Sequence, residues 1–137
     1  KGYKKALEDS GIPFDDEMVV EGKYVDDTGY ELIRTLLDRG KTPGGVIACD
    51  DLLAFGAIKY LTENGLRVPE DIAVAGFNNV PLADYFNPPL TSVDVNSFSL
   101  GAKAFDLLLA NISSEYKSID RAIVPAQLFA RKSTLKA

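Results

Sequence analysis

Apolar positions along this chain fall into alternating helical and strand patterns. Residues 3–10 read as the end of a helix, stopped by Gly11 and Pro13. Met18 to Val20 is a short apolar run and predicts a strand. Tyr30, Ile33, Leu36 and Leu37 share one face at helical spacing, so a helix is expected there, with Asp26 or Asp27 as its cap. Arg39-Gly40 ends it, and Pro43 follows. Beyond Phe77 the chain changes character. Asn78-Asn79-Val80-Pro81 opens a loop or short helix, which Tyr85-Phe86-Asn87-Pro88-Pro89 closes. Thr91 to Val95 alternates and is β-branched, as strands are. Asn96 or Ser97 caps a helix carrying Leu100, Ala104, Leu107 and Leu108, and Ser113-Ser114 ends it. Ile123 to Ala130 predicts a last strand, followed by the polar tail Arg131-Lys132-Ser133-Thr134.

The stretch between these halves, Gly45 to Phe77, says most. Val46 to Cys49 reads as a buried strand ending in two carboxylates, Asp50 and Asp51. A helix follows, with Leu53, Ala57, Ile58 and Leu61 inward, and closes on Asn64-Gly65. Val68-Pro69-Glu70-Asp71 turns the chain into a second apolar strand, Ile72 to Ala75. Repeated units of this kind predict an α/β fold: a doubly wound, mainly parallel sheet with helices on both faces and right-handed crossovers. Ligands of such sheets bind outside the carboxyl ends of the strands, which draws attention to Asp50 and to Asn78.

Composition narrows the chemistry. The 137 residues suit one domain with a sizeable core. Lys and Arg number 15 against 20 Asp and Glu, so the net charge of −5 argues against direct nucleic-acid contact by this chain. There is no His, which removes Ser-His-Asp and Cys-His catalysis and His-based zinc sites from within it. The single cysteine, Cys49, rules out an internal disulfide and fits a reducing, cytoplasmic setting. Set in an apolar run, Cys49 reads as a small packed hydrophobe. No apolar run is long enough to span a membrane, and no signal peptide is visible. The chain starts without Met and is read as a fragment or a processed product.

Several segments carry a specific resemblance. Ala48-Cys49-Asp50-Asp51-Leu52-Leu53-Ala54-Phe55-Gly56 resembles the A-x-N-D-x-x-A-x-G stretch of LacI/GalR-type transcriptional regulators. Gly65-Leu66-Arg67-Val68-Pro69-Glu70-Asp71-Ile72 is similar to their G-L-x-V-P-x-D-I turn, and Ala75-Gly76-Phe77-Asn78-Asn79 to V-G-F-D-D. Pro89-Leu90-Thr91-Ser92-Val93 resembles P-x-L-T-T-V, and Leu128-Phe129-Ala130-Arg131-Lys132-Ser133-Thr134 the closing L-V-x-R-x-S-T. The resemblance implies one lobe of a type I periplasmic-binding-protein-like core, residues 1–137 forming its C-terminal part. Residues of about 91–114 would cross to a first lobe, and no DNA-binding domain lies in this chain. Without that first lobe the helix from Ser97 to Ile112 would show an apolar face, so it is expected to pack against another copy or to be poorly ordered.

The same resemblance offers ligand-binding residues. Asp50 matches a cleft residue that bonds ligand hydroxyls; an Asp there also serves as a helix N-cap, a role expected here of Asp51. Asn78 matches a second cleft residue, with a turn residue bonding its own backbone as the alternative. Asp50 stands where the family has Asn, and Asn78 where it usually has Asp, so amide and carboxylate have exchanged strand ends. Tyr24 matches an aromatic position on which a sugar or base stacks, and Phe86 a position near the cleft and the subunit contact. Each aromatic has a plain structural alternative, a half-exposed loop ring for Tyr24 and packing beneath the loop for Phe86.

The implied function is effector sensing and dimerisation in a bacterial LacI-type regulator. The effector would be a sugar or similar small metabolite, bound noncovalently and without a cofactor or metal. The protein would be a homodimer that reaches operator DNA through a helix-turn-helix domain outside this chain, with no membrane contact. An exported sugar-binding protein serving a transporter keeps the fold and changes the role. A third reading takes Asp50-Asp51 as a magnesium-holding acidic pair of a receiver-like domain.

Overall fold

The computed structural model describes residues 1–22, 28–113 and 121–135. Helix α1 (Gly2–Asp9) precedes α2 (Gly29–Asp38), followed by β1 (Gly45–Ile47), α3 (Asp51–Glu63) and β2 (Ala73–Phe77). A four-residue helix α4 (Leu82–Tyr85), β3 (Thr91–Asp94), α5 (Ser97–Ser113) and β4 (Gln127–Phe129) complete the order. The strands form one sheet in the order β1-β2-β3-β4. β1 and β3 run parallel to β2, pairing Val46 with Val74 and Gly76 with Ser92; β4 is antiparallel to β3. The mixed α/β fold with a mainly parallel sheet is the one the sequence predicts.

Why the core sits where it does follows from the helical faces. α2 turns Ile33 and Leu36 inward, and α3 turns Ala54, Phe55, Ala57, Ile58 and Leu61 inward. These pack with Ile72, Val74, Ala83 and Leu90, and Ile58, Leu61, Ile72 and Leu90 are at most 1% exposed. α2 and α3 approach closely because two glycines meet there. A Cβ on Gly29 would land on the carbonyl of Leu53, and one on Gly56 would crowd the backbone at Gly29 and Tyr30. Arg67 holds the turn into β2: its N–H and Nε donate to Asp71 Oδ2 at 2.8 and 3.0 Å, and its Nη2 to Oδ1 at 2.8 Å. The sheet's other face is less covered, with Ile47 75% exposed.

Three expectations are corrected here. Met18 to Val20 does not pair as a strand. Asp15 accepts from the Glu17 N–H at 2.9 Å and caps a 3-10 turn over Asp16–Met18. Arg39 Nη1 then occupies the carbonyls of Glu17 and Val19 at 2.9 and 3.0 Å. Lys41 locks the turn by bridging Asp15 and Glu17 at 2.8 and 2.7 Å, and these carboxylates hold its ammonium above the ordinary lysine range. An apolar run this short loses to a capped turn whose carbonyls already have a donor.

The cap of α2 is Thr28, not Asp26 or Asp27, which lie outside the described residues. Thr28 Oγ1 accepts from the Glu31 N–H at 3.4 Å and donates to Glu31 Oε2 at 2.9 Å. The Thr-x-x-Glu spacing of a capping box is present in the sequence, and here Glu31 closes back on the Thr28 hydroxyl. β4 is also shorter than the run from Ile123 to Ala130, since Pro125 cannot donate to a ladder.

α5 forms over the span expected of it, and Asn96 Oδ1 accepts from the Ser99 N–H at 3.2 Å at its start. None of its residues is buried; Phe98 is 88% and Ile112 70% exposed.

The Gly29–Leu53 contact generates a stability test. Gly29→Ala is expected to cost about 1–3 kcal/mol through overpacking. Gly44→Ala, whose Cβ would enter open space, is expected to be neutral or to gain up to about 1 kcal/mol. Urea unfolding followed by circular dichroism compares them, and equal midpoints for the two variants would refute the close-contact argument.

Candidate functional site

β1 and β2 are parallel neighbours, so their carboxyl ends lie side by side. The chain leaves β1 through Ala48 and Cys49 to Asp50, and leaves β2 directly into Asn78. These two side chains meet, with Asn78 Nδ2 donating to Asp50 Oδ2 at 2.8 Å. The other carboxylate oxygen of Asp50 accepts from the Leu52 N–H at 2.8 Å. Asp50 is therefore the N-cap of α3, and the expectation that Asp51 takes that role is corrected. The reason is positional: Asp50 has the extended backbone of a cap, φ −152° and ψ 149°, while Asp51 is already the first helical residue.

Asp51 instead turns into the protein and is fully buried. Its Oδ1 accepts from Ser92 Oγ of β3 at 2.6 Å, and its Oδ2 from the Val80 N–H at 2.8 Å. Gly76 makes this possible, because a Cβ there would collide with the Asp51 carboxylate. A buried polar group is costly unless hydrogen-bonded, and each oxygen here has a protein donor. Asp50 and Asp51 thus bond different partners and do not act as one pair. Among the described residues no group of three or more His, Cys, Asp or Glu is placed to hold a metal ion.

The turn after β2 is built by Asn78 and Asn79, both in left-handed backbone at φ 96° and 49°. Asn79 Nδ2 donates to Asp94 Oδ2 at 3.2 Å, and its Oδ1 accepts from Arg131 Nη2 at 2.9 Å. The tail residues of the Arg-Lys-Ser-Thr motif close the sheet from behind. Ser133 Oγ donates to Val74 O at 2.6 Å and accepts from the Thr91 N–H at 2.8 Å. In the sequence that motif is only a family signature. Its partners lie 40 to 59 residues away, so periodicity cannot find them.

Phe86 stacks on Phe55 of α3 with ring centroids 4.3 Å apart and remains half-buried. Tyr24 lies outside the described residues. A cavity of about 590 Å³ lies between β1 and the segment Met18–Gly22, lined by side chains such as Val20, Ile33, Leu36 and Val46. Neither Asp50 nor Asn78 lines it. Its apolar wall marks the gap left where Met18 to Val20 does not pair, and offers a polar ligand little. The converging polar groups at the strand ends make the better candidate site.

Comparison with known proteins places this geometry. Residues 1–134 match the periplasmic binding protein-like domain. The chain belongs to that family. Its relatives are transcriptional regulators. It is 34% identical over 133 residues to the HTH-type transcriptional repressor PurR of Histophilus somni, covering 97% of this chain and 40% of that one. Identity to PurR of Pasteurella multocida is 36% over 135 residues, again 97% of this chain and 40% of the relative. The structure of the regulator CelR in complex with cellobiose superposes with a TM-score of 0.90 at 34% identity, over 96% of this chain and 40% of that one. A LacI-family regulator from Enterococcus faecium with bound ribose gives 0.83 at 34% identity, over 98% of this chain and 50% of that one. This periplasmic binding protein-like chain thus spans about two-fifths of the curated repressors it matches. Among its described residues no helix is long and apolar enough to cross a membrane.

The buried carboxylate sets a measurable order of stabilities in this family member. Asp51→Ala strands the Ser92 hydroxyl and the Val80 N–H, and is expected to cost about 2–4 kcal/mol. Ser92→Ala takes the donor from Asp51 Oδ1 and the acceptor from the Asn79 N–H but keeps the Val80 bond to Asp51, and is expected to cost about 1–2 kcal/mol. Denaturant unfolding measures both, and an Asp51→Ala variant no less stable than Ser92→Ala would contradict the anchoring role.

Proposed function

We propose that this chain is part of the effector-binding core of a LacI-family transcriptional regulator, and that Asp50 and Asn78 contact the effector. The observation that carries the reading is the bond between them at adjacent strand ends. An ionised carboxylate only accepts, so the NH₂ of Asn78 must face Asp50. That leaves Asn78 Oδ1, on an exposed side chain, and the remaining lone pairs of Asp50 as acceptors for a ligand. Such a set suits a hydroxyl-rich neutral molecule, a sugar or similar metabolite, better than an anion. The cellobiose and ribose complexes of its structural relatives agree with that class. Tyr24 and the open part of Phe86 would add ring faces for an apolar sugar face.

The intact protein would bind operator DNA through a helix-turn-helix domain elsewhere in the molecule, act in the cytoplasm and catalyse nothing. Effector would bias the angle between two lobes and so the geometry of a DNA-bound dimer. The regulator reading is preferred to a transporter's binding protein because the sequence relatives are repressors. In the intact protein the first lobe is expected to cover the apolar face of α5. A homodimer would use α3 and the segment from Val80 to Phe86, where Leu82 is 51% and Tyr85 84% exposed.

Two experiments on the full-length regulator test this. Asp50→Ser keeps a capping oxygen, and Asn78→Gly suits the left-handed backbone, so both variants should fold. Each is expected to weaken sugar binding at least about tenfold, near 1.4 kcal/mol, in calorimetry against a sugar panel. Wild-type affinity in both would remove the site. In sedimentation equilibrium, Leu82→Glu with Tyr85→Glu is expected to shift the dimer to monomer; an unchanged dimer would place the interface elsewhere.

A further inference from the structure

The turn that presents Asn78 is conformationally costly. Consecutive L-residues in left-handed backbone persist only where their surroundings over-determine them. Here the surroundings do so residue by residue. The Asn78 N–H donates to Val93 O at 2.8 Å, the Asn79 N–H to Ser92 Oγ at 3.0 Å and the Val80 N–H to Asp51 Oδ2 at 2.8 Å. The Asn79 side chain is gripped at both ends, by Asp94 and by Arg131.

Arg131 is the distant member of this set. Its side chain is only 16% exposed. Nη1 donates to the Leu90 carbonyl at 2.7 Å, Nη2 to Asn79 Oδ1 at 2.9 Å and Nε to Asp84 Oδ1 at 3.1 Å. Asp84 is 68% exposed, so water screens that ion pair and it adds little. The effective bonds are those to Leu90 and Asn79, which join the entrance of β3 to the turn after β2. The two terminal nitrogens of the guanidinium take one acceptor each, whereas a lysine would have to serve both from a single ammonium on a flexible stem.

We infer that Arg131 is a positioning residue for effector binding. Through the Asn79 carboxamide it holds the left-handed turn in the conformation that aims Asn78 at Asp50. Arg131 itself touches no ligand. The inference rests on the reading of Asn78 as a ligand contact, and it assigns the Arg-Lys-Ser-Thr motif a part in affinity as well as in closing the sheet.

The test uses the full-length regulator with variants Arg131→Lys, Asp84→Asn and Asn78→Gly. Hydrogen exchange by mass spectrometry compares a peptide spanning Asn78–Val80 with one spanning Ile58–Leu61 in α3. D-ribose and cellobiose serve as calorimetric probes. Arg131→Lys is expected to speed exchange at Asn79 and Val80 about tenfold, to leave α3 within about twofold, and to raise the Kd of a bound probe about fivefold or more. Asp84→Asn should match wild type in exchange and affinity. The inference is overturned if Arg131→Lys leaves exchange at the turn unchanged, or speeds both peptides equally. It is also overturned if Arg131→Lys spares probe affinity while Asn78→Gly weakens it. If Asn78→Gly spares probe affinity, the ligand-contact reading fails instead, and the exchange measurement still judges whether Arg131 holds the turn.

Discussion

One buried carboxylate organises the carboxyl end of this sheet. Asp51 is out of contact with water, and Ser92 and the Val80 N–H donate to its two oxygens in place of solvent. Those bonds join the first turn of α3, the loop after β2 and the middle of β3. Gly76 leaves the space they need. Remove that carboxylate and the three elements lose their shared hydrogen-bond acceptor.

Adjacent residues therefore do opposite work. Asp51 faces inward and fixes the frame, whereas Asp50 caps the same helix and keeps an oxygen for its neighbour across the strand ends. The division follows from a one-residue step at a helix start. The cap residue has extended backbone and the next is helical, so their side chains leave the chain in different directions. Asn78 completes the pair because its turn is held from below by Ser92 and from behind by Arg131. Binding groups at the surface are as precise as the buried set beneath them.

Much of this was legible in the sequence, and the failures share a physical cause. Helices α2, α3 and α5 announce themselves by apolar spacing, and Asn64-Gly65 and Arg39-Gly40 stop two of them as expected. Asp50 and Asn78 were both identifiable as strand-end residues. The exchange of roles between Asp50 and Asp51 was not, since it depends on which residue first adopts helical backbone. Met18 to Val20 misled because Met18 went into a capped turn and the distant Arg39 took the Val19 carbonyl. The Asp51–Ser92 and Asn79–Arg131 bonds carry no local pattern, as their partners meet only once the sheet exists.

The reliance of β2 on Ser133 has a consequence for the order of synthesis. Val74 is bonded on both its N–H and, through the serine hydroxyl, its carbonyl to a residue made long after it. A nascent chain leaving the ribosome can assemble α2, α3 and their shared core early. The turn after β2 lacks one of its restraints, the Arg131 bond to Asn79, until the Arg-Lys-Ser-Thr segment emerges. A stop codon or frameshift just before Arg131 would thus keep Asp50 and Asn78 in the chain while removing the hold on Val74 and on Asn79.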